Sequence, residues 1–145
     1  MILKEIKIDL FEYEPTMKNF YYLHCISRDF ALGLGIAKSF RNKFNLTKEV
    51  LTEGIISNNL SLTSNVFNLI TKSRYWQKPT YNSLRNALMS VKKTIFALNG
   101  DNTKDIQLIM PKIGCGLDKL MWKNVKNIIK EVFDDTELDI VICYL

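Results

Sequence analysis

Lys72 and Asp118 are the residues whose surroundings in the sequence point most clearly to chemistry. A lysine amine with a lowered pKa is a nucleophile toward a carbonyl or a masked aldehyde, and a sugar bearing an anomeric leaving group is such an electrophile. Lys72 follows the apolar run Leu69-Ile70-Thr71, so it falls at the end of a predicted buried strand rather than in a solvated stretch. Asp118 closes the segment Ile106-Gln107-Leu108-Ile109-Met110-Pro111-Lys112-Ile113-Gly114-Cys115-Gly116-Leu117-Asp118. That segment starts as a buried strand, breaks at Pro111 into a loop with paired glycines, and leads into an amphipathic helix. Strand, glycine loop and helix start form an anion site, because bare N–H groups face the ligand and the helix dipole favours negative charge. A carboxylate repels a phosphate, so Asp118 fits chemistry better than binding.

A second unit repeats the pattern. His24-Cys25-Ile26-Ser27-Arg28-Asp29-Phe30-Ala31-Leu32-Gly33-Leu34-Gly35-Ile36-Ala37 runs from a buried strand through paired glycines into a helix. Two such units can grip both phosphates of a diphosphate; the plainer alternative is two ordinary strand-to-helix turns. Gly-x-Gly without the third spaced glycine is not a dinucleotide fingerprint. Cys25 and Cys115 lie in or beside these segments, but His24 is the single histidine and gives little scope for a Cys–His pair. Within an apolar strand, His24 reads as a hydrogen-bonded core residue. Tyr75 and Trp76, just after Lys72, can stack on a ring or pack their own loop down.

These residues need elements to hold them. Ile2 to Ile8 reads as a strand, and Phe20 to Ile26 as a strand covered on both faces. Gly35 to Phe44 is a helix with Ile36, Ala37, Phe40 and Phe44 on one side, and a short helix follows at Thr47 to Thr52. Ile55 to Ile56 and Asn65 to Thr71 are strands flanking a turn at Ser57-Asn58-Asn59. Pro79 opens the next helix, since its missing N–H would be unpaired there. Leu84, Leu88, Val91, Ile95 and Leu98 give that helix an apolar stripe, and Asn99-Gly100 ends it. Trp122, Val125, Ile129, Val132 and Phe133 mark a last helix, and Asp139 to Tyr144 a last strand. Roughly six strands with interleaved helices predict an α/β fold, a three-layer α/β/α sandwich with ligands near strand ends.

Composition sets outer limits. A chain of 145 residues predicts one domain, here 1–145, and 47% hydrophobic with 24% charged residues is ordinary for a globular protein. No apolar run approaches the ~18 residues of a membrane span. The opening Met-Ile-Leu-Lys-Glu-Ile-Lys-Ile reads as an amphipathic strand, not a signal peptide. Three cysteines without metal spacing favour a reduced, cytoplasmic protein with no metal site and no cofactor. The net charge of +5 is spread as scattered lysines; it helps attract a polyanion without demanding nucleic acid.

Taken together, the motifs resemble the macrodomain family, most closely its terminal ADP-ribose protein glycohydrolase branch. They are Asp9-Leu10-Phe11, His24-Cys25-Ile26-Ser27 leading to Gly33-x-Gly35-Ile36-Ala37, Leu69-Ile70-Thr71-Lys72, Lys78-Pro79-Thr80-Tyr81, Met110 to Asp118, and Trp122-x-x-Val125. The resemblance runs in order over nearly the whole chain, and Gly-Cys-Gly-Leu-Asp is its most specific part. It implies a mixed, about six-stranded sheet bearing an ADP-ribose cleft. Asp9 would accept from the adenine amino group and Leu10 shape the adenine pocket. Gly33, Leu34, Gly35 and Ile36 would form one phosphate loop, and Ile113, Gly114, Cys115, Gly116 and Leu117 the other. Ser27 and Thr71 would line the cleft, with Leu145 closing the adenine side. Lys72 would attack C1″ of the distal ribose, or its opened aldehyde, and Asp118 would serve as general acid and base. The implied partners of this ADP-ribosyl hydrolase are ADP-ribose and ADP-ribosylated protein, with ADP-ribosylated DNA and O-acetyl-ADP-ribose left open; a monomer is expected. A reader that binds ADP-ribose without cleaving it is the competing reading, and having both Lys72 and Asp118 favours the enzyme. A Rossmann-like binder of another nucleotide explains Lys72 poorly. Two positions depart from the family: Ile8 stands where glycine is common, so that turn must form without it, and Cys143-Tyr144-Leu145 replaces a different tyrosine-bearing ending.

Overall fold

Alternating apolar residues set the layers. The structure, a computed structural model, describes residues 1–47, 51, 56–58 and 65–145. Its strands are β1 (Ile2–Lys7), β2 (Asn19–Ser27), β3 (Ile56–Asn58), β4 (Asn65–Lys72), β5 (Ile106–Met110) and β6 (Asp139–Tyr144). Its helices are α1 (Gly35–Phe44), α2 (Tyr81–Asn99) and α3 (Trp122–Phe133). The strands form one six-stranded sheet in the order β1-β6-β5-β2-β4-β3. All neighbouring strands are parallel except the β3–β4 pair, so the sheet is mixed.

Side chains of a strand point alternately to its two faces. On one face Leu23, Leu69, Leu108, Ile140 and Ile142 pack against α2 and α3, where Leu84, Leu88, Val91, Ile95, Val125, Ile129 and Phe133 are buried. On the other, Ile26, Val66, Ile109, Val141 and Cys143 meet Phe40 and Phe44 of α1. β5 is buried along its whole length and β6 up to Tyr144, which explains their unbroken apolar runs. Burying one such Leu, Ile or Phe side chain is worth about 1.5–3 kcal/mol.

Some boundaries differ from the expectation. β1 stops at Lys7, and the Ile8 N–H turns back to the Ile6 carbonyl at 3.1 Å. Ile8 is not among the residues of positive φ, so this turn needs no glycine. Pro79 does not open α2: it is buried one residue before the N-cap, and Thr80 caps the helix through a reciprocal pair with Ser83. Leu98 continues the periodic stripe but is exposed, beyond the reach of the sheet. Ser57 and Asn58 continue β3 rather than forming a turn. Ile55, Asn59 and most of the Thr47 to Thr52 helix lie outside the described residues.

Candidate active site

The parallel strands β1, β6, β5, β2 and β4 all end at the same edge of the sheet, so the loops that follow them are neighbours. Asp9 follows β1 and Leu145 follows β6; the second glycine loop follows β5, and the first follows β2. Lys72 is the last residue of β4, and its Cα partner across the sheet is Ser27, at a register shift that starts between Ile26 and Ser27. The edge from β1 to β4 spans roughly 19 Å, from spacings of about 4.8 Å between strands.

At the β4 end, Lys72 Nζ donates to Asp118 Oδ1 at 2.7 Å, with both side chains about 15% exposed (14% and 16%). Residues far apart in the chain thus form one partly covered ion pair beside both glycine loops. Leu117 Cδ1 lies 3.0 Å from where a Cβ on Gly35 would stand, so the two loops face each other across that contact. Lys78 Nζ reaches the Leu117 carbonyl at 2.8 Å and ties the Lys72 loop to the second glycine loop.

The two loops present their backbone differently. α1 begins after Leu34 with no side-chain cap and no acidic residue in its first turn, so its leading N–H groups face outward at the positive end of the helix dipole. α3 does not begin directly after the second loop. Lys119, Leu120 and Met121 intervene, the Leu120 N–H closes onto the Gly114 carbonyl at 2.8 Å, and Tyr81 Oη accepts the Met121 N–H at 3.2 Å. The second loop therefore offers its own backbone rather than a helix end. Gly114 sits at φ 71 with Leu120 packed against the place of a Cβ, whereas Gly116 has nothing within 4 Å of that place. The Ile113 side chain is buried in the core, so only its main chain is open to a ligand. Leu34, Leu117 and Ile36 are exposed, as is the terminal Leu145.

Burial settles the competing nucleophiles. It pushes the Cys25 thiol up to about 12, with the Asp118 carboxylate adding to the rise. Burial likewise raises the Cys115 thiol. Both stay protonated at neutral pH and make poor nucleophiles. His24 is fully buried, stacked on Phe40 at 4.2 Å, with Nε2 2.6 Å from Asn68 Oδ1. It belongs to the core, as its apolar strand suggested. Among the described residues, no group of three or more His, Cys, Asp or Glu could hold a metal ion, and no helix is long and apolar enough to cross a membrane.

At the far end of the edge, Asp9 Oδ1 accepts the Phe11 N–H at 2.9 Å, and the Asp9 carbonyl accepts from Glu12 and Tyr13. Leu10 is buried beneath this turn. Burial, then the Asp9 carboxylate, pushes the Cys143 thiol up to about 11. Tyr144 lies under the Lys112 ammonium instead, 4.5 Å from its ring centre.

No family model matches the chain. The structure superposes on the macrodomain of Mycobacterium tuberculosis DarG with a TM-score of 0.77 at 17% identity, covering 99% of this chain and 98% of that one, a likeness of fold. In sequence the chain is 39% identical over 141 residues to ADP-ribose glycohydrolase OARD1 of Bos taurus, covering 94% of this chain and 88% of the relative. The Homo sapiens protein of the same name is 38% identical over 141 residues, with the same coverage. The chain belongs to the macrodomain family, in its terminal ADP-ribose glycohydrolase branch.

Seen as a macrodomain, the chain also uses residues that its motifs did not single out. Asp29 links the first glycine loop to the Lys72 loop: its Oδ1 accepts from Ser27 Oγ and the Ala31 N–H, its Oδ2 from the Tyr75 N–H. Phe30 and Leu32 carry positive φ (55 and 41), the left-handed conformation that a glycine loop suggests for its glycines. Leu32 is buried, so core packing holds this macrodomain loop in a shape its own residues disfavour.

Proposed function

We propose that this macrodomain is an ADP-ribosyl hydrolase that removes mono-ADP-ribose from modified targets through a covalent lysyl–ADP-ribose intermediate. The single observation that carries the reading is the 2.7 Å pair of Lys72 and Asp118 at the end of the sheet edge where both glycine loops meet. A protein that only holds ADP-ribose needs neither residue, and a lysine kept for phosphate binding would point at a loop rather than at a carboxylate.

The strand order gives the cleft its direction. Asp9, with Leu10 beneath it and Leu145 nearby, would take the adenine at the β1 and β6 ends. Backbone N–H groups of Gly33 to Ile36 and Ile113 to Leu117 would hold the diphosphate over β5 and β2. Ser27 and Thr71 would flank the distal ribose, whose C1″ then meets Lys72 at the end of β4. Anchoring the diphosphate turns binding energy into proximity at C1″.

In the first step Asp118 takes a proton from the Lys72 ammonium. The amine attacks C1″ as the bond to the departing oxygen or nitrogen breaks, and Asp118 returns the proton to that leaving group. In the second, Asp118 removes a proton from water, which attacks C1″; the Lys72 amine departs and ADP-ribose is released. The N-linked adduct and its ring-opened imine are tautomers, so the target has already left C1″ in either form.

The departing group is a glutamate or aspartate carboxylate on protein, a DNA base, or the acetate of O-acetyl-ADP-ribose. The test is to incubate the purified chain with glutamate-ADP-ribosylated protein beside DNA ADP-ribosylated on thymidine and on guanosine. Release of ADP-ribose from at least one supports the hydrolase and ranks the substrates. Tight binding of ADP-ribose with no release from any of them, nor from O-acetyl-ADP-ribose, would identify a reader instead.

A further inference from the structure

Lys72 alone does not explain how its loop keeps station. The segment 73–78 leaves the sheet at β4 with its Arg74, Tyr75 and Trp76 side chains exposed, so little apolar packing fixes it. Its attachment on the β2 side is polar and converges on one carboxylate. Asp29 Oδ2 accepts the Tyr75 N–H at 2.9 Å, three residues beyond Lys72. Asp29 Oδ1 accepts from Ser27 Oγ, at the end of β2, at 2.5 Å and from the Ala31 N–H, two residues before Gly33 in the first glycine loop, at 3.2 Å. The Arg28 N–H donates to the Lys72 carbonyl at 2.9 Å and extends the contact between the segments. Hydrogen bonds to a carboxylate are charge-assisted and about twice as strong as neutral ones. The Ser27 hydroxyl, then the Tyr75 and Ala31 N–H groups, hold the Asp29 carboxyl below the usual carboxylate range, so it stays an acceptor at mildly acidic pH.

We propose that Asp29 is a positioning residue that joins the diphosphate-holding loop to the loop bearing the nucleophile, setting the Lys72 amine against the anchored C1″. The proposal rests on the hydrolase reading above. Asp29 touches no reacting atom; it acts through Ser27 and Tyr75. Its effect is on the register between binding and chemistry, because reacting groups displaced by about 1 Å can lose about a hundredfold in rate.

The test is Asp29→Asn. The amide oxygen keeps the contacts to Ser27 and Ala31, and the amide NH₂ is turned toward the Tyr75 N–H, donor against donor. The glycine loop is retained while the Lys72 loop is released. Expected are a kcat for ADP-ribose release lowered about ten- to a hundredfold, an ADP-ribose Kd by calorimetry within about twofold of wild type, and an unchanged melting temperature. Asp29→Ala removes the contacts on both sides and should lower kcat further and weaken ADP-ribose binding as well. An Asp29→Asn protein with wild-type kcat overturns the proposal, as does one whose kcat, affinity and melting temperature fall together, which marks a merely structural group. A wild-type protein that binds ADP-ribose but releases none from any substrate overturns the hydrolase reading, and this proposal with it.

Discussion

Acid should weaken this fold through one residue that the chain carries only once. His24 is the single histidine and is fully buried between β2 and α1. Burial pushes its imidazole down from 6.5 to about 4, against a smaller opposing effect of the Asn68 hydrogen bond. The unfolded chain binds the proton near 6.5, the folded chain only near 4. Between these values the unfolded state holds more protons, so stability falls as pH falls. The contribution is whole above 6.5, is reduced by about 2 kcal/mol at about pH 5, and levels off about 3 kcal/mol lower below pH 4. Hydrogen bonds hold the carboxyls of Glu5, Asp29 and Asp135 below their usual range, so their contributions are whole above their ordinary values of 4.5 and 3.8 and begin to be lost only at the acid end of this profile. Urea unfolding at several pH values between 7.5 and 4.5 reads the slope, and proton NMR of the imidazole reads the titration. His24→Gln should flatten the profile across the window. A histidine signal that titrates near 6.5 in the folded protein, or a free energy constant from pH 7 to pH 5, would refute the argument. Because His24 stacks on Phe40 of α1, the acid-weakened region includes the helix that follows the first glycine loop, so ADP-ribose affinity should fall over the same interval.

Other expectations separate binding, chemistry and stability. Lys72→Ala should abolish turnover yet keep ADP-ribose binding by calorimetry; loss of binding together with unfolding would count against a catalytic lysine. Asp118→Ala should lower hydrolysis by about 10²–10⁴-fold, the usual scale for a general acid or base. Gly116→Ala has open space for its methyl and should keep the wild-type melting temperature while weakening ADP-ribose binding; unchanged affinity would mean that the diphosphate does not approach this backbone. Gly35→Ala should cost about 1–2 kcal/mol from its φ of 60 alone, with the Leu117 contact adding to that, as read by urea unfolding. Phe40→Ala, at a fully buried ring stacked on His24 and edge-on to Phe11, should cost about 3–5 kcal/mol in the same measurement.

Much of the molecule can be read from its residues because the signals are local. Near-continuous apolar runs name β2, β4, β5 and β6, and the spacing of Leu84, Leu88, Val91 and Ile95 names α2. The Lys72–Asp118 pair was legible because each residue interrupts a pattern, a cation at a buried strand end and an anion in an anion loop. What stayed hidden depends on neighbours distant in sequence. Asp29 reads as a turn residue, and Ser27-x-Asp29 hints at side-chain-to-backbone bonding, but its partner Tyr75 lies 46 residues away. The left-handed Phe30 and Leu32 give no sequence signal, since bulky residues disfavour that conformation and tertiary packing imposes it. Thr80 with Ser83 was a readable cap, overshadowed by the helix-opening habit of Pro79. Leu98 kept the helical period past the end of the sheet, where periodicity no longer implies burial.

The most direct measurement is to trap the reaction. The protein is mixed with glutamate-ADP-ribosylated substrate, reduced with borohydride during turnover, digested, and mapped by peptide mass spectrometry. An ADP-ribose adduct on Lys72, absent without substrate and absent in Lys72→Ala, is the predicted result. Active release of ADP-ribose with Lys72 unmodified, or turnover retained by Lys72→Ala, would contradict the lysyl intermediate.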